Sequence, residues 1–246
     1  MRISVVSAVY NEMEIMNTVS SWIDYLKNCS ELSDFEVILC DDYSDLDYFK
    51  KLQNHFKDNS RVTVLRNKKN EGPGYSFSRC FQAVKYEYTL ITDSDGQFPI
   101  ENLERVLNVL SEKNMENIVF FTHREKKYDN MINVVGQKIS NGLCNFIHKT
   151  KLNDFTCAYK FVPSKLLKNI YFDARYMNYS LDHTAKLIET EVEYIDVPVV
   201  CEIKEARKRG VLKELNRAIG RFLYINHLWY RKFLLKRRVL FHHHNE

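Results

Sequence analysis

The sequence predicts an α/β protein in which helices flank a mostly parallel sheet. Short apolar, β-branched runs alternate with longer segments whose apolar residues recur every three or four positions, the pattern of strands alternating with helices. Polar or acidic pairs follow three of the predicted strands: Asn11-Glu12, Asp41-Asp42 and Asp93 with Asp95. Because ligands bind beyond the carboxyl ends of strands in such sheets, these pairs predict a functional site at one sheet edge.

Each element rests on its own run of residues. The predicted strands are 3–9, 35–40, 62–65, 88–92, 117–122, a short strand that follows 154–160, and 192–199. The predicted helices are 13–27, 46–56, 75–84, 103–110, 131–147, 179–190 and one or two helices within 211–241. Their apolar residues lie on one face, as expected of helices that pack on a sheet.

Length and composition predict one large domain with an appendage. The 246 residues are 45% hydrophobic and include only seven glycines and four prolines, which argues against long linkers. We therefore predict a catalytic domain over 1–210 and a basic helical tail over 211–246. The six cysteines are scattered, which favours free thiols in a reducing compartment, and neither a signal peptide nor a membrane-spanning stretch is expected.

The tail differs in charge from the rest of the chain. Residues 206–246 contain eleven lysines and arginines against two acidic residues, a net charge of +9 that leaves −5 for 1–205. Aromatic residues interleave with these cations, which predicts an amphipathic helix in contact with the cytoplasmic membrane face. The alternatives are a helix packed on the domain with its basic face in water, or a contact in a homodimer.

The segment Asp93-Ser94-Asp95-Gly96-Gln97 carries the predicted metal chemistry. It follows a buried strand, and residues two apart in an extended chain point to the same side. Asp93 and Asp95, with Gln97 as a third oxygen donor, would suit Mg²⁺ or Mn²⁺, which complete their coordination with water and phosphates. The alternative is a polar turn whose aspartates cap the next helix.

Several motifs together resemble family 2 glycosyltransferases, which have the GT-A (Rossmann-like) fold. They are Val5 to Glu12, Val37 to Ser44, Asn70 to Gly74 with Arg79, Asp93-x-Asp95-x-Gln97-x-Pro99, Arg124, Asp154 to Lys160, Ile195 to Pro198, and Arg207-x-x-Gly210-x-x-Lys213. The Asp93–Pro99 segment is most similar to dolichyl-phosphate mannose synthase and other polyprenyl-phosphate glycosyltransferases. Four positions depart from the pattern: Tyr43, Ala158, Lys160 and Leu212.

The resemblance implies an inverting, metal-dependent glycosyltransferase with a UDP- or GDP-sugar donor. The residues that it assigns to donor binding are Tyr10, Asn11, Glu12, Asp42, Gly72, Arg79, Asp93 and Ser94. Asp93, Asp95 and Gln97 are assigned to the metal. Asp42 has an alternative role as the cap of the second helix, and Asn11 and Glu12 as caps of the first.

The implied acceptor is a polyprenyl phosphate or a surface glycan of the lipopolysaccharide or capsule type. A lipid phosphate needs cationic partners, for which Arg124, Arg207 and Lys213 are candidates. A sugar hydroxyl needs a carboxylate base, and Asp154 and Asp182 are the candidates. Their alternative roles are a turn residue and a solvent-facing helical charge.

Two other function classes compete with this interpretation. A sugar-nucleotide pyrophosphorylase needs a glycine-rich phosphate loop after its first strand, whereas this chain has Ala8-Val9-Tyr10 there. A non-enzymatic module could bind membranes or nucleic acid through the basic tail, but this would leave the acidic strand ends without a role. We therefore expect an enzyme, with no nucleic-acid partner.

Overall fold

A seven-stranded sheet forms the centre of the computed structural model, which describes residues 1–113, 117–125, 131–174, 178–202 and 211–234. The strands are β1 (Arg2–Val9), β2 (Asp34–Asp41), β3 (Val62–Arg66), β4 (Tyr88–Ile91), β5 (Val119–Arg124), β6 (Lys160–Pro163) and β7 (Tyr194–Val199). The helices are α1 (Ile15–Asn28), α2 (Leu46–Phe56), α3 (Pro73–Ala83), α4 (Asn102–Lys113), α5 (Met131–His148), α6 (Ser164–Asn169), α7 (Tyr179–Glu189) and α8 (Val211–Trp229), which continues as a π-helical turn (Tyr230–Leu234).

The strand order β3-β2-β1-β4-β6-β5-β7 confirms the predicted mostly parallel sheet. Strands β1 to β4 are parallel, and so are β5 and β7, whereas β6 runs antiparallel to both of its neighbours. The carboxyl ends of β1, β2 and β4 therefore lie side by side. The short strand expected after 154–160 is present as β6, but its antiparallel direction was not predicted, because its four residues show no pattern that reports direction.

Helices cover both faces of the sheet, and alternate strand residues feed two cores. In β1, Val5 and Val9 pack on the side of α1, α2 and α4, while Val6 packs on the side of α3, α5 and α7. This alternation is the period-two geometry of a strand buried on both faces. All six cysteines are free thiols, as predicted, and four of them are buried.

The C-terminal helix α8 packs into the core on the side of α3, α5 and α7, which we call the second core. Ile225 and Leu228 of α8 are buried there beside Cys144 and Ile147 of α5. Residues 203–210, which precede α8, lie outside the described residues, so the boundary near 210 stays a prediction. No helix within the described ranges is both long enough and apolar enough to cross a bilayer.

Candidate active site

The candidate site lies at the carboxyl edge of the sheet, where β1, β2 and β4 end. Positive φ angles turn the chain sharply at this edge, at Asn11 (48°), Tyr43 (66°), Gly72 (87°) and Gly96 (68°). Residues with side chains rarely adopt this left-handed conformation, which glycine accepts freely. The turns place the polar residues that follow the three strands in neighbouring loops.

Asp93 and Asp95 follow β4 and form the acidic part of the site. The Gln97 amide donates a hydrogen bond to Oδ1 of Asp95 at 3.1 Å, and Gly96 makes the turn between them possible. Among the described residues, no cluster of three or more histidine, cysteine, aspartate or glutamate side chains has the geometry of a metal site. Two carboxylates with an amide oxygen nearby are nevertheless a donor set that suits Mg²⁺ or Mn²⁺, since these ions take few protein ligands.

The charge of this loop is not balanced by the protein alone. Burial raises the pKa of Asp93 to about 6, and the neighbouring charge of Asp95 adds to the effect. Tyr179, Lys160 and Arg124 act in the opposite direction on the same pKa but do not cancel the rise. A buried carboxylate beside a second carboxylate fits a divalent cation, which would stabilise both charges.

Two residues not predicted to belong to the site act on Asp93, Tyr179 by a hydrogen bond and Lys160 by its charge. The hydroxyl of Tyr179, the first residue of α7, donates a hydrogen bond to Oδ1 of Asp93, and its ring stacks on Phe77 with centroids 5.2 Å apart. Lys160 is buried at the start of β6, where Nζ donates to the Cys157 carbonyl and to Oγ of Ser180 at 2.8 Å. Burial lowers the pKa of Lys160 to about 8.

Arg124 and Asp154 form a partly buried ion pair in the same region. Nε of Arg124 donates to Oδ2 of Asp154 at 2.8 Å, and Nη2 donates to Oγ1 of Thr156 at 3.1 Å. The amide and hydroxyl of Thr156 both donate to Oδ1 of Asp154. Arg124 also acts on the pKa of Asp93, so the predicted base and the predicted metal loop lie within electrostatic range of one cation.

Asp42 organises the loop that precedes α3. Its Oδ1 accepts hydrogen bonds from Nδ2 of Asn67 (2.7 Å) and from the Glu71 amide (2.9 Å), and its Oδ2 accepts one from the Gly72 amide (2.8 Å). Asp42 is therefore not the cap of α2, because the N-cap position of that helix is occupied by Asp45. Contact between Asp42 and a nucleotide remains a prediction, while its contact with the loop is direct.

Arg79 supports the same loop from α3. Nη1 of Arg79 donates to the Arg66 carbonyl at 2.5 Å and to Oδ1 of Asn67 at 2.9 Å. Asn67 in turn donates to Asp42, so one chain of hydrogen bonds runs from α3 to the end of β2. The motif residues Asp42, Gly72 and Arg79 are thus joined, with Arg79 acting through Asn67.

The end of β1 is tied to the loop before α2. The Asn11 amide donates to Oγ of Ser44 at 2.9 Å, and Oδ1 of Asn11 accepts a hydrogen bond from the Asp45 amide at 3.1 Å. The alternative in which Asn11 and Glu12 cap α1 is wrong, because Glu14 occupies the N-cap position of that helix and makes no side-chain capping hydrogen bond. Tyr10 is 56% exposed beside this junction, so its ring is open to a ligand.

The sequence profile of the family described as Glycosyl transferase family 2 matches residues 4–171. The chain belongs to glycosyl transferase family 2. It is therefore a nucleotide-sugar glycosyltransferase, and neither the pyrophosphorylase nor the non-enzymatic alternative is retained. No protein with a curated description matches the sequence.

Solved structures of other glycosyltransferases share the fold, which confirms the predicted GT-A architecture. Glucosyl-3-phosphoglycerate synthase from Mycobacterium tuberculosis, solved with phosphoglyceric acid, is similar with a TM-score of 0.62 at 16% identity, covering 91% of this chain and 79% of that chain. The same enzyme solved with Mn²⁺, UDP and phosphoglyceric acid gives 0.63 at 15% identity, covering 91% and 78%. S. aureus TarS 1–349 gives 0.56 at 16% identity, covering 95% and 74%.

Two departures from the motifs of glycosyl transferase family 2 have a structural explanation. Tyr43 replaces a glycine and adopts the φ of 66° that glycine accepts more easily, while the Arg66 guanidinium lies 5.4 Å from its ring centroid. Lys160 replaces an arginine and keeps a positive charge that acts to lower the pKa of Asp93. The family pattern is therefore kept in backbone shape and in charge at these positions.

The assignment of Asp182 as a catalytic base is wrong. Its side chain is fully buried, where Oδ2 accepts hydrogen bonds from the Asp173 and Ala174 amides and Oδ1 accepts one from the Tyr224 hydroxyl at 2.6 Å. Nζ of Lys186 also lies 3.4 Å from Oδ1. A carboxylate with all of these partners and no exposure cannot reach an acceptor, and neither is it the solvent-facing charge of the alternative.

For the remaining predicted residues, the structure gives few contacts or none. Ser94 lies between the two aspartates and is half-buried, and the Glu12 carbonyl accepts a hydrogen bond from the Tyr48 hydroxyl at 2.8 Å. Arg207 lies outside the described residues, as does the side chain of Lys213. The predicted roles of these two cations at the acceptor therefore stay predictions.

Proposed function

We propose that this glycosyltransferase uses a nucleoside diphosphate sugar and Mg²⁺ or Mn²⁺, and that it inverts the anomeric carbon. The observation that carries the proposal is the Asp93 and Asp95 pair at the end of β4, where burial and like charge raise the pKa of Asp93 to about 6. Such a pair gains most from a cation that also binds a diphosphate. The relative from Mycobacterium tuberculosis was solved with Mn²⁺ and UDP, which supports the same ligand class here.

The nucleoside of the donor would bind at the loop before α3, which Asp42 holds in place. Asp42 fixes the Glu71 and Gly72 amides, and the exposed rings of Tyr10 and Tyr43 stand at the ends of the neighbouring strands. Ring faces and fixed polar backbone groups are suited to a base and a ribose. We assign the nucleoside to this loop and the diphosphate to Asp93, Asp95 and Gln97.

The chemical difficulty is the departure of the diphosphate, which gains negative charge as the glycosidic bond breaks. A bound divalent cation supplies Lewis-acid stabilisation of that charge. The chain's own residues prepare the site for it: Tyr179 holds one oxygen of Asp93, and Lys160 and Arg124 place positive charge nearby. These contacts keep the carboxylate oriented before any ligand arrives.

For the acceptor, we propose a sugar hydroxyl of a surface glycan, with Asp154 as the general base. Asp154 is also buried, but it differs from Asp182 in its link to the metal loop, since Lys160 interacts electrostatically with both Asp154 and Asp93. Arg124 and Thr156 fix its orientation. A polyprenyl phosphate is the second candidate, since Arg124 would serve it as a cationic partner. Either acceptor would place the enzyme at the cytoplasmic face of a membrane.

A thermal-shift screen tests the donor and the metal together. Purified protein is heated with UDP, GDP and their sugar conjugates, with and without Mn²⁺, because a ligand that binds the folded state raises the melting temperature. We expect a rise that needs both the nucleotide and Mn²⁺, and that is absent in Asp95→Ala. Asp45→Ala is the matched control, since Asp45 is exposed and its side chain makes no capping hydrogen bond. An equal rise in Asp95→Ala would remove the metal site from the proposal.

A further inference from the structure

Two adjacent helices, α5 and α8, carry apolar residues on both their inner and their outer sides. Their inner sides meet in the second core, where Cys144 and Ile147 lie beside Ile225 and Leu228. A helix at a protein surface usually turns polar residues outward. Their outer sides instead carry exposed large apolar residues: Val135, Ile139 and Phe146 on α5, and Ile219, Phe222, Leu223, Trp229, Tyr230, Phe233 and Leu234 on α8 and its π-helical turn.

These ten residues form what we call the outer apolar face. Three of them illustrate its exposure: Phe146 is 76%, Leu223 62% and Phe222 55% accessible. Because α5 and α8 pack against each other over the same core, their outer sides point away from the same face of the sheet. A contiguous apolar surface of this extent marks a site of interaction.

The cations of the described part of α8 lie away from this face. Arg231 is buried, with Nη2 donating to Oε2 of Glu189 at 2.7 Å, and Arg221 and Lys232 are half-buried. The described part of the tail packs on the domain, as one alternative expected, but Arg221, Arg231 and Lys232 do not form a basic face in water. Over residues 218–234, the side chains that face water are mostly apolar and aromatic.

The helix is held firmly to the body of the enzyme. The Tyr224 hydroxyl donates to Asp182 at 2.6 Å, Arg231 pairs with Glu189, and Ile225 and Leu228 are buried. Binding through the outer apolar face therefore needs neither folding nor detachment of the helix. A partner would meet a preformed surface, which reduces the entropic cost of association.

The charge of the chain distinguishes between the two plausible occupants. Lys236-Arg237-Arg238 follow the face directly in sequence, and residues 206–246 carry a net charge of +9. A second copy of the chain would bring two such segments together and repel, whereas an anionic lipid surface would attract them. Trp229 and Tyr230 also belong to the residue types that concentrate at the boundary between lipid and water.

We propose that the outer apolar face inserts into the surface of an anionic lipid bilayer, with α5 and α8 lying along it. The aromatic and aliphatic side chains would enter the boundary between headgroups and acyl chains, and the basic segment would pair with lipid phosphates. This inference concerns a surface distinct from the donor site, and it stands whether or not the proposed donor and acceptor are correct.

Vesicle co-sedimentation tests the face with a matched pair of variants. Protein is mixed with vesicles of phosphatidylcholine alone, or of phosphatidylcholine and phosphatidylglycerol in equal amounts. We expect binding to the anionic vesicles, weakened about tenfold or more in Phe222→Ser/Leu223→Ser, because exposed apolar residues provide the insertion energy. Leu46→Ser on α2 is the control, since Leu46 is 58% exposed, close to the 62% of Leu223, and should change nothing.

A second pair tests the charge, and a mass measurement tests the alternative occupant. Lys236→Glu/Arg237→Glu should weaken anionic-vesicle binding and reduce its salt sensitivity, whereas Lys50→Glu/Lys51→Glu on α2 should not. Light scattering without lipid should give the mass of one chain. A dimer that ignores vesicles, or vesicle binding that Phe222→Ser/Leu223→Ser leaves unchanged, would overturn the proposal. Nucleotide thermal shifts of the same variant should match the wild type, which separates this test from that of the donor site.

Discussion

The hydroxyl of Tyr179 donates a hydrogen bond to Oδ1 of Asp93, although 86 residues separate them in the sequence. Asp93 follows β4 in the first half of the chain, and Tyr179 begins α7 in the second. The contact therefore joins the motif-rich part of the enzyme to its less regular part. Along α7, Asp182 and Glu189 contact Tyr224 and Arg231 of the C-terminal segment, so this helix links that segment to the metal loop.

Tyr179→Phe should weaken Mn²⁺-dependent nucleotide binding. The change removes only the hydroxyl that orients Asp93 and favours its ionised form, and partners of this kind typically contribute about tenfold or more to metal affinity. Calorimetric titration of UDP and Mn²⁺ would measure the loss.

Tyr86→Phe is the matched control for this prediction. The Tyr86 hydroxyl donates to Oδ2 of Asp34 at 2.5 Å, but Asp34 is the first residue of β2 and lies at the amino ends of the strands, away from the site. Nucleotide affinity should be unchanged in this variant. If both tyrosine variants bind Mn²⁺ and UDP like the wild type, Tyr179 has only a packing role.

Asp42→Ala should unfold the loop before α3 and destabilise the protein. The substitution removes the carboxylate that accepts hydrogen bonds from the Glu71 and Gly72 amides and from Nδ2 of Asn67, and we expect a loss of about 3 kcal/mol in the free energy of unfolding. Denaturant titration measures this loss. Asn70→Ala should lower stability less, since the Asn70 side chain donates to the Asp42 carbonyl at 3.3 Å and not to its carboxylate. A stable Asp42→Ala protein that loses only nucleotide affinity would instead support direct contact with the donor.

Asp154→Asn and Asp182→Asn should differ in their effect on kcat. Asp154 is the proposed general base, so its replacement should lower kcat by about 10²- to 10⁴-fold, and because Asp154 is buried and paired with Arg124 the melting temperature should fall as well. Asp182 is buried among the Asp173 and Ala174 amides and Lys186, so its replacement should lower the melting temperature and leave kcat within a few-fold. The reverse outcome would restore Asp182 to the reacting centre, and equal rates in wild type and Asp154→Asn would favour a lipid-phosphate acceptor that needs no base.

Stability should fall as pH falls below about 6.5, because two histidines are buried without hydrogen-bond partners among the described residues. Burial lowers the pKa of His183 well below 6.5 and that of His148 to about 3. Below pH 6.5 the unfolded chain protonates both while the folded chain does not, so the unfolded state binds more protons. Each histidine should cost about 1.4 kcal/mol per pH unit in this range.

His183→Leu isolates one of these contributions. His183 lies in a cage of Phe77, Phe81, Phe172 and Tyr179, so leucine loses no hydrogen bond there. The difference in unfolding free energy between pH 7.5 and 5.5 should shrink relative to the wild type. The comparison must be relative because Asp93, Asp41 and Glu189 have raised pKa values and act with the opposite sign. His55→Leu, which changes an exposed histidine, should keep the wild-type slope; an unaltered slope in His183→Leu would contradict the prediction.

Local patterns were enough to predict most of the fold. Apolar residues at the helix period placed α2 at 46–56 and five further helices within a few residues of their observed ends, and they placed the start of α8 at Val211. The short strand β6 was predicted, but its antiparallel direction was not. The helix α6 was not predicted, because six helical residues carry too little periodicity. Strand direction in the sheet is set by pairing with β4 and β5, and pairing is not local.

The sequence by itself determined the family, the parallel half of the sheet, and the carboxylates at its edge, since each of these is written in contiguous residues. Only the tertiary structure decided what surrounds them. Tyr179 reaches Asp93, Asp182 leaves the site for a buried network, and the tail turns an apolar face outward while Arg231 is buried. These outcomes depend on contacts between segments dozens of residues apart, and the burial and charge that such contacts create are properties of the packed chain.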